Sequence, residues 1–330
     1  MAIQWFPGHM HLTRQAIVAR VKTIDVVIEM LDARLPASSA NPLLAELTSR
    51  RPTLKVLNKQ DLADPERTSL WLEHYNHQSG VRAIALDTTE AAAAQRLITP
   101  CFELAPHRGG MLKPMRVLIC GIPNVGKSTL INRLVGKRAA KAADEAGVTR
   151  TEQRILLADD FYLYDTPGIL WPRIIVAESG YNLAASGAVG RNAFDDHEVA
   201  LELLAYLQQH YSRLLAERYK LELADVESLS DEVLLESIGR QRGCLMAGGE
   251  VNLQKASELL IHDFRSGSLG RITLETPGEF SQWLAEGRKL DAERQARKDL
   301  LTRQGHIRRK NTAPGSRPRQ LGKGGSARGR

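Results

Sequence analysis

The chain has 330 residues, of which 43% are hydrophobic and 5% aromatic, and its 45 Lys and Arg against 38 Asp and Glu give a formal charge of +7. This length predicts two domains, and the hydrophobic content excludes a wholly disordered chain. The three separated cysteines provide neither a disulfide framework nor a metal-ligand pair, and no apolar stretch approaches the roughly 18 residues of a membrane helix. Because the first residues carry no secretory signal, we expect a cytoplasmic protein with no membrane partner.

The first 170 residues alternate short apolar runs with helical patterns. Six runs have the length and composition of strands, namely residues 26–31, 54–57, 81–86, 117–120, 155–157 and 161–164. Residues 41–49 and 127–135 have the pattern of helices. Such alternation predicts an α/β domain over residues 1–174, built on a mostly parallel sheet.

The next part of the chain changes to helical periodicity. Apolar residues at helical spacing predict three helices, over residues 195–215, 231–238 and 252–264. Ser230 is a candidate cap for the second helix, and Gly267 is expected to end the third. We therefore expect a small helical domain over residues 175–287.

The charge is distributed unevenly along the chain. Residues 1–174 carry a net charge of +5, residues 175–287 carry −9 and residues 288–330 carry +11. From about residue 305 the composition turns to Gly, Pro, Ser, Arg and Lys, which predicts a basic, largely disordered tail over residues 288–330. Positive charge concentrated in this way suits a polyanionic partner such as nucleic acid.

The strongest motif is G-I-P-N-V-G-K-S over residues 121–128, which matches the P-loop pattern and lies between a predicted strand and a predicted helix. Backbone N–H groups of such a loop cradle phosphates, aided by the helix N-terminus. We expect Lys127 to bind the β- and γ-phosphates and the Ser128 hydroxyl to ligate Mg²⁺. The predicted phosphate-binding residues are Asn124, Val125, Gly126, Lys127, Ser128 and Thr129.

A second motif, D-T-P-G over residues 165–168, follows the last predicted strand. We expect the Asp165 carboxylate to contact Mg²⁺ through a water molecule and the N–H of Gly168 to bind the γ-phosphate. The D-x-x-G pattern is common by itself, but beside a P-loop it indicates hydrolysis of a nucleoside triphosphate.

The third motif, N-K-Q-D over residues 58–61, also follows a predicted strand. Asp61 can accept hydrogen bonds from the ring N–H and the exocyclic amine of guanine, whereas adenine lacks this pair of donors and is strongly rejected by such a site. Asn58, Lys59 and Asp61 are therefore predicted to bind GTP or GDP. In most GTPases this motif follows the other two, and its early position here predicts a circularly permuted GTPase domain.

Further segments refine this prediction. They are W-F-P-G-H-M at residues 5–10, D-A-R-L-P at 32–36, D-T-P-G-I-L-W-P at 165–172 and R-G-C-L-M-A-G-G at 242–249. Together they resemble the YlqF/RbgA family of bacterial ribosome-biogenesis GTPases over about residues 3–280. The resemblance implies a GTPase that acts late in assembly of the large (50S) ribosomal subunit, has a low intrinsic rate raised by the ribosomal particle, and binds rRNA through a helical C-terminal domain. It leaves the role of residues 32–36 open, a simple strand-end turn included.

Two positions in the switch regions bear on hydrolysis. Thr149 resembles the switch I threonine that joins Mg²⁺ and the γ-phosphate, with Thr151 as the alternative and Ala146 in place of a proline common in the family. Many GTPases orient the attacking water with a glutamine where this chain has Ile169, so the catalytic group must lie elsewhere. The resemblance points to His9, and an ordinary surface histidine is the alternative.

Asn124 resembles the asparagine of potassium-stimulated GTPases, in which a monovalent cation places positive charge beside the transition state. The resemblance therefore implies K⁺ as a cofactor in addition to Mg²⁺, and a turn-favouring asparagine is the alternative. A fifth GTPase motif is expected after residues 81–86, where D-T-T at 87–89 matches the family weakly.

Because the helical domain is acidic as a whole, any phosphate contacts there must come from a local patch. The candidate RNA-binding residues are Arg240, Arg242, Lys255, Arg265 and Arg271, with scattered solvated charge as the alternative for each. The tail is interpreted as a flexible arm along rRNA, or else as a solubilising end.

The expected partners are a precursor of the large ribosomal subunit and its rRNA, bound by a chain that is monomeric off the ribosome. The alternative function is a regulatory GTPase switch that acts on protein effectors outside ribosome assembly. A membrane-bound GTPase is disfavoured, because the sequence offers no amphipathic helix with a wide apolar face.

Overall fold

The computed structural model describes residue 3 and residues 9–87, 93–110, 112–135, 153–158 and 160–311. Within these residues six strands form one sheet: β1 (Val26–Asp32), β2 (Thr53–Asn58), β3 (Val81–Leu86), β4 (Met115–Gly121), β5 (Gln153–Ala158) and β6 (Phe161–Asp165). Their order is β3-β2-β1-β4-β6-β5, and each neighbouring pair is parallel except β5 and β6. The mostly parallel sheet and all six predicted strands are confirmed.

In the described part of this domain the helices are α1 (His9–Val21), α2 (Pro42–Thr48), α3 (Pro65–Asn76), α4 (Ala93–Leu104) and α5 (Lys127–Val135). The two predicted helices are confirmed as α2 and α5. α2 begins at Asn41, whose side chain accepts a hydrogen bond from the backbone N–H of Leu43, and α3 begins at a similar Asp64 cap. Apolar periodicity alone does not predict α3. The sequence signal for the start of this helix is the capping pair Asp64-Pro65.

The central strand of the sheet is β1, and all seven of its residues are buried. One neighbour is β2, which leads into the N-K-Q-D motif, and the other is β4, which leads into the P-loop. The N-K-Q-D strand therefore comes earlier in the chain than the P-loop strand but lies parallel to the same central strand. This is the arrangement that a circular permutation predicts.

Residues 175–287, the predicted helical domain, contain α6 (Ala177–Ser186), α7 (Asp196–Tyr219), α8 (Leu223–Ser228), α9 (Asp231–Gln241) and α10 (Leu253–Ser266). The three helices predicted here are confirmed as α7, α9 and α10. α7 runs past its predicted end and contains a kink at Tyr211, where the backbone is not helical. Gly267 ends α10 as expected, in the left-handed conformation at φ 77°.

The last described helix, α11, extends from Pro277 to Asn311. Residues 288–311 are therefore helical, although the composition of residues 288–330 predicts a largely disordered tail. Residues 284–301 consist mainly of Ala, Glu, Gln, Lys, Arg and Leu, which have the highest helix propensities. The Gly- and Pro-rich remainder, residues 312–330, lies outside the described residues. No helix in the described part of the chain combines the length and the apolar character needed to cross a membrane.

One hydrophobic core contains buried residues from both halves of the chain. After α10 the chain returns to the first domain, where the N–H of Ile272 donates to the Leu62 carbonyl at 3.0 Å and the N–H of Leu274 donates to the Arg34 carbonyl at 2.7 Å. Residues 271–276 thus lie against the loops that follow β1 and β2. The helical domain therefore contacts the end of the sheet at which the sequence motifs lie.

Candidate functional site

Four parallel strands bring their polar or glycine ends to one edge of the sheet. β1, β2, β4 and β6 end at Asp32, Asn58, Gly121 and Asp165. Asp32 and Asn58 are direct partners in the register of β1 and β2. Open α/β sheets bind ligands outside the carboxyl ends of their strands. The three predicted motifs therefore meet at the edge of the sheet that is suited to one shared ligand.

The P-loop and the N-K-Q-D loop are in direct contact. Nδ2 of Asn58 donates a hydrogen bond to the Val125 carbonyl at 2.8 Å. Gly126 has a φ of 94°, and a Cβ atom at this position would lie 2.2 Å from Asn58 Nδ2. Only a glycine combines this backbone conformation with this close approach. Asn58 therefore braces the P-loop, with Oδ1 of the same side chain buried and unpaired among the described residues.

Lys59 lies across the same loop. Its Nζ donates to the Asn124 carbonyl at 2.9 Å and to Oδ2 of Asp32 at 2.7 Å. Both Lys59 and Asn124 have left-handed backbones, with φ values of 62° and 57°. Such conformations are uncommon outside glycine and often lie at functional sites. Two strained positions are therefore joined by one hydrogen bond.

Asp61, the residue predicted to read the base, is exposed at the end of this loop. Arg271 fixes the loop on both sides of Asp61, because its Nε donates to the Ala63 carbonyl at 2.8 Å and its Nη2 donates to the Gln60 carbonyl at 2.9 Å. A residue of the helical domain thus holds the conformation of the loop that carries Asp61.

At the other end of the P-loop, Lys127 and Asp165 form an ion pair, and their side chains are only 7% and 5% exposed. Ser128 and Thr129 follow in the first turn of α5, and both are exposed. The Ser128 hydroxyl and the Asp165 carboxylate are hard oxygen donors, and Mg²⁺ in nucleotide sites is usually held by one or two such protein oxygens and by phosphates. These residues therefore fit a magnesium–nucleotide complex.

The D-T-P-G turn packs directly against the P-loop. A Cβ atom on Gly168 would lie 3.0 Å from the backbone N and Cα of Pro123, so the turn has no room for a side chain. The N–H of Ile169 donates to the Gly121 carbonyl at 3.1 Å, and the Ile169 side chain is fully buried. The side chain after D-T-P-G is thus part of the core and faces no ligand.

Helix α1 begins beside this turn. The buried Met10 side chain accepts, through its sulfur, a hydrogen bond from the N–H of Leu170 at 3.4 Å. His9 is the first residue of α1, so its backbone lies next to the segment that follows D-T-P-G. The His9 side chain, Thr149, Thr151, Thr88 and Thr89 lie outside the described residues.

The P-loop also contacts the helical domain. Nδ2 of Asn124 donates to the Gly187 carbonyl at 2.7 Å. Gly187 ends α6 with a φ of 83°, and the Arg265 guanidinium lies 3.5 Å from where its Cβ would be. The side chain predicted to bind K⁺ thus contacts the end of α6 through its amide nitrogen.

Asp32 and Arg34, in the segment whose role the sequence leaves open, form a buried ion pair. Nε and Nη2 of Arg34 donate to the two Asp32 oxygens at 2.9 and 2.8 Å, and both side chains are 2% exposed. Burial alone would raise the pKa of Asp32, but Arg34 and Lys59 hold it well below its usual range. The sequence signal for this pair is the D-A-R spacing directly after a buried strand, which shows the residue types but not their partner.

A second buried carboxylate joins the two domains. Oε1 of Glu275 accepts hydrogen bonds from the N–H groups of Ala37 and Ser38 at 2.6 and 2.9 Å, and the Ser38 hydroxyl donates to Oε2. Burial raises the pKa of Glu275 to about 7, although these hydrogen bonds favour the charged form. No motif of the sequence pointed to this residue.

The candidate RNA-binding residues divide into two groups. Arg240, Arg242 and Lys255 are exposed, and Arg240 forms a surface ion pair with Glu236 at 2.8 Å. Arg265 is half-buried and Arg271 is exposed, but both guanidinium groups donate to backbone carbonyls. Nε and Nη2 of Arg265 donate to carbonyls at the end of α6, both at 2.7 Å. Burial and the nearby Arg191 lower the pKa of Arg265. The structure thus gives these two arginines internal partners.

Comparison with known proteins gives two family matches. The model of a family described as 50S ribosome-binding GTPase matches residues 116–234. The model of the RsgA GTPase family matches residues 7–174, a range that contains the N-K-Q-D, P-loop and D-T-P-G motifs.

Individual relatives are similar over nearly their whole length. Ribosome biogenesis GTPase A of Bacillus cereus is 41% identical over 298 residues, which cover 88% of this chain and 99% of the relative. The protein of the same name from Priestia megaterium is 40% identical over 290 residues, covering 86% and 99%. Among solved structures, GNP-bound YlqF from T. maritima has a TM-score of 0.58 at 28% identity, covering 81% of this chain and 98% of that one. A GDP-bound structure of TM YlqF has a TM-score of 0.59 at 27% identity, covering 80% and 99%.

Proposed function

The chain belongs to the ribosome biogenesis GTPase A family, and on this basis we propose that it is a GTP-binding and GTP-hydrolysing factor acting in assembly of the large (50S) ribosomal subunit. As an enzyme it is a GTPase, which converts GTP and water to GDP and phosphate. The observation that carries the proposal is the direct contact between the N-K-Q-D loop and the P-loop, made by Asn58 and Lys59. The contact supports the proposal because it joins the loop that we propose to read guanine to the loop that we propose to bind the phosphates.

The nucleotide lies, in this proposal, along the shared edge of the sheet. The Asp61 carboxylate accepts hydrogen bonds from guanine, and Asn58 and Lys59 support the base and the P-loop together. The phosphates are bound by the backbone N–H groups of residues 124–129 and by Lys127 Nζ. When the γ-phosphate is present, Lys127 exchanges part of its contact with Asp165 for phosphate oxygens, and the Gly168 N–H binds the same group.

The residues proposed to hold Mg²⁺ are Ser128, Thr149 and Asp165, of which Asp165 would act through a water molecule. When bound, the ion neutralises negative charge that develops on the phosphate oxygens. The proposed K⁺ site uses the side-chain oxygen of Asn124. The support for this site is the place of Asn124 in the P-loop, and the Asn124 amide nitrogen donates to the Gly187 carbonyl.

For hydrolysis we propose that the His9 imidazole orients the attacking water. Ile169 cannot do so, since it has no hydrogen-bonding side chain and is buried in the core. The start of α1 lies beside the residues after D-T-P-G, as the Met10–Leu170 contact indicates. A histidine at this position is therefore close to the part of the chain that binds the γ-phosphate.

Contact with the ribosome is proposed for the helical domain and the tail. Arg240, Arg242 and Lys255 are exposed and available to phosphates, whereas the guanidinium groups of Arg265 and Arg271 are engaged with backbone carbonyls. The proposed division of the chain is a GTPase domain over residues 1–174, an RNA-binding domain over 175–287 and a basic tail over 288–330. We further propose that the partner is a large-subunit precursor with its rRNA, and that the protein is a cytoplasmic monomer when off the ribosome.

The test measures GTP hydrolysis by the full-length protein with and without purified 50S particles, with ATP as the matched control substrate. The proposal expects hydrolysis of GTP, little hydrolysis of ATP and a clear rise with 50S particles. Hydrolysis that does not change with 50S particles would favour the alternative, a regulatory switch acting on protein effectors.

A further inference from the structure

Asp32 lies outside the three nucleotide motifs, yet its carboxylate lies where three parts of the molecule meet. It accepts hydrogen bonds from Lys59 of the N-K-Q-D loop and, through both oxygens, from Arg34. Only 2% of the Asp32 side chain is exposed, so its charge is removed from water and balanced by these two cations. Charge-assisted hydrogen bonds of this kind hold their partners in a defined geometry.

Lys59 depends on such a partner for its position. A lysine amine is a point charge on a flexible stem with three rotatable donors, and many conformers are open to it unless an acceptor fixes it. In this structure two oxygens fix it, Oδ2 of Asp32 from the strand side and the Asn124 carbonyl from the P-loop. Asp32 therefore determines where the positive charge of the N-K-Q-D loop lies relative to the phosphate loop.

Arg34 connects the same carboxylate to the helical domain. Its Nη1 donates to the carbonyls of Phe264 and Arg265 at 3.2 and 3.4 Å, and its guanidinium lies 4.8 Å from the centre of the Phe264 ring. These carbonyls belong to the last turn of α10, where the Phe264 carbonyl also accepts the N–H of Gly267 at 3.3 Å. Arg34 thus joins the end of α10 to Asp32, and through Asp32 to Lys59.

We propose that Asp32 is a positioning residue for guanine-nucleotide binding, because it holds Lys59 across the P-loop. Arg34 links this contact to the helical domain, so the position of Lys59 depends on how that domain is docked. The inference rests on the proposed function, because it takes Lys59 as part of a guanine-nucleotide site. It assigns a role to the D-A-R segment beyond that of a strand-end turn.

The test is the rate at which full-length variants release a fluorescent GDP analogue, measured below the unfolding temperature of each variant. Asp32→Asn keeps the size of the side chain and removes its charge, and release about 10- to 30-fold faster than in the wild type is expected. Glu29→Gln is the matched control, since Glu29 is a buried carboxylate on the same strand that pairs with Lys55 instead of Lys59. Its release rate is expected to stay within about twofold of the wild type.

A double-variant cycle separates positioning from simple support of the fold. Lys59→Met alone is expected to speed release, and adding Asp32→Asn to it is expected to change the rate by less than about twofold, because the contact is already lost. Arg34→Lys keeps a charge beside Asp32 but cannot span Asp32 and α10, and about threefold to fivefold faster release is expected.

Three results would overturn the inference. Unchanged GDP release in Asp32→Asn with a lowered unfolding temperature would make the residue purely structural. If the increases in release rate caused by Asp32→Asn and Lys59→Met multiply in the double variant, Asp32 does not act through Lys59. Unchanged release in Arg34→Lys would remove the link to the helical domain. A wild-type protein that binds no guanine nucleotide would instead refute the proposed function, and the inference with it.

Discussion

Asn58 and Val125 come from two different motifs and are joined by one hydrogen bond, in which Asn58 Nδ2 donates to the Val125 carbonyl at 2.8 Å. The bond requires the P-loop backbone to pass close to the end of β2. The next residue, Gly126, makes that approach possible because it has no side chain. The N-K-Q-D loop and the P-loop are therefore joined in one unit.

Gly126→Ala is expected to weaken nucleotide binding strongly. Its Cβ would lie 2.2 Å from Asn58 Nδ2, and the φ of 94° would be strained for alanine, so the bond between the two loops would break. We expect a loss of at least about 100-fold in GTP affinity, since the phosphates and the base lose their common support. Equilibrium binding of a fluorescent GTP analogue measures this loss.

Gly80→Ala is the matched control for that variant. Gly80 has a similar φ of 74°, but a Cβ atom added there would have no neighbour within 4 Å among the described residues. Gly80→Ala should introduce backbone strain without a steric clash. We expect it to lower the unfolding free energy by about 1 kcal/mol and to leave GTP affinity unchanged. Equal affinity losses in the two variants would contradict the steric explanation.

His9→Ala is expected to leave GTP affinity within about twofold of the wild type and to slow hydrolysis by about 100-fold, the usual scale for a group that assists proton transfer from water. Single-turnover hydrolysis in the presence of 50S particles is the measurement. His11→Ala, two residues further along α1, is the control and should hydrolyse GTP at the wild-type rate. Unchanged hydrolysis in His9→Ala would exclude this residue from catalysis.

Replacing K⁺ by Na⁺ is expected to slow GTP hydrolysis by about tenfold if the Asn124 oxygen ligates a monovalent cation beside the phosphates. Asn124→Ser should hydrolyse slowly in both salts, since the shorter side chain cannot reach the same position. Rates are compared at constant ionic strength. Equal wild-type rates in the two salts would exclude a K⁺ site at Asn124, whose role would then be its contact with Gly187.

The stability of the protein is expected to depend on pH through Glu275. Its pKa is raised from the usual 4.5 to about 7 in the folded state by burial, so the folded protein binds this proton more tightly than the unfolded chain does. The resulting stability is fully present below about pH 4.5 and is lost as the pH rises through about 7, a change of about 3 kcal/mol.

Urea unfolding of the wild type and Glu275→Gln at pH 5 and pH 8 tests this expectation. The amide does not titrate, so the wild type should lose about 3 kcal/mol of unfolding free energy relative to the variant between these values. Glu250→Gln, at an exposed site, is the control and should follow the wild type at both pH values. The same pH dependence in the wild type and Glu275→Gln would exclude Glu275 as its source.

The sheet and its motif-bearing edge were predictable because their causes are local. Short apolar runs such as residues 26–31 are buried on both faces of a parallel sheet, and parallel strands present their carboxyl ends together. The order of the motifs then predicts the permutation. The start of α3 at Asp64 carries its own capping signal, which apolar periodicity does not capture.

The contacts between distant parts of the chain were not predictable in the same way. Arg265 and Arg271 have the composition of RNA-binding residues, and only the fold reveals that backbone carbonyls take up their donors. Asp32 and Arg34 are two residues apart, but the cation and helix end that they join are far away in sequence. A pattern of residue types gives the chemistry available at a position and not the partner that uses it.

The strand order divides the sheet into two parts of continuous sequence that meet only at the β1–β4 pair. Residues 26–86 supply β1, β2 and β3, and residues 115–165 supply β4, β5 and β6. During translation the part that carries the N-K-Q-D motif is therefore synthesised before the P-loop, and β1 can pair with β4 only after residues 115–121 have been made. In the proposed site GTP contacts both parts, so a nascent chain is expected to bind GTP only once β1 and β4 have paired.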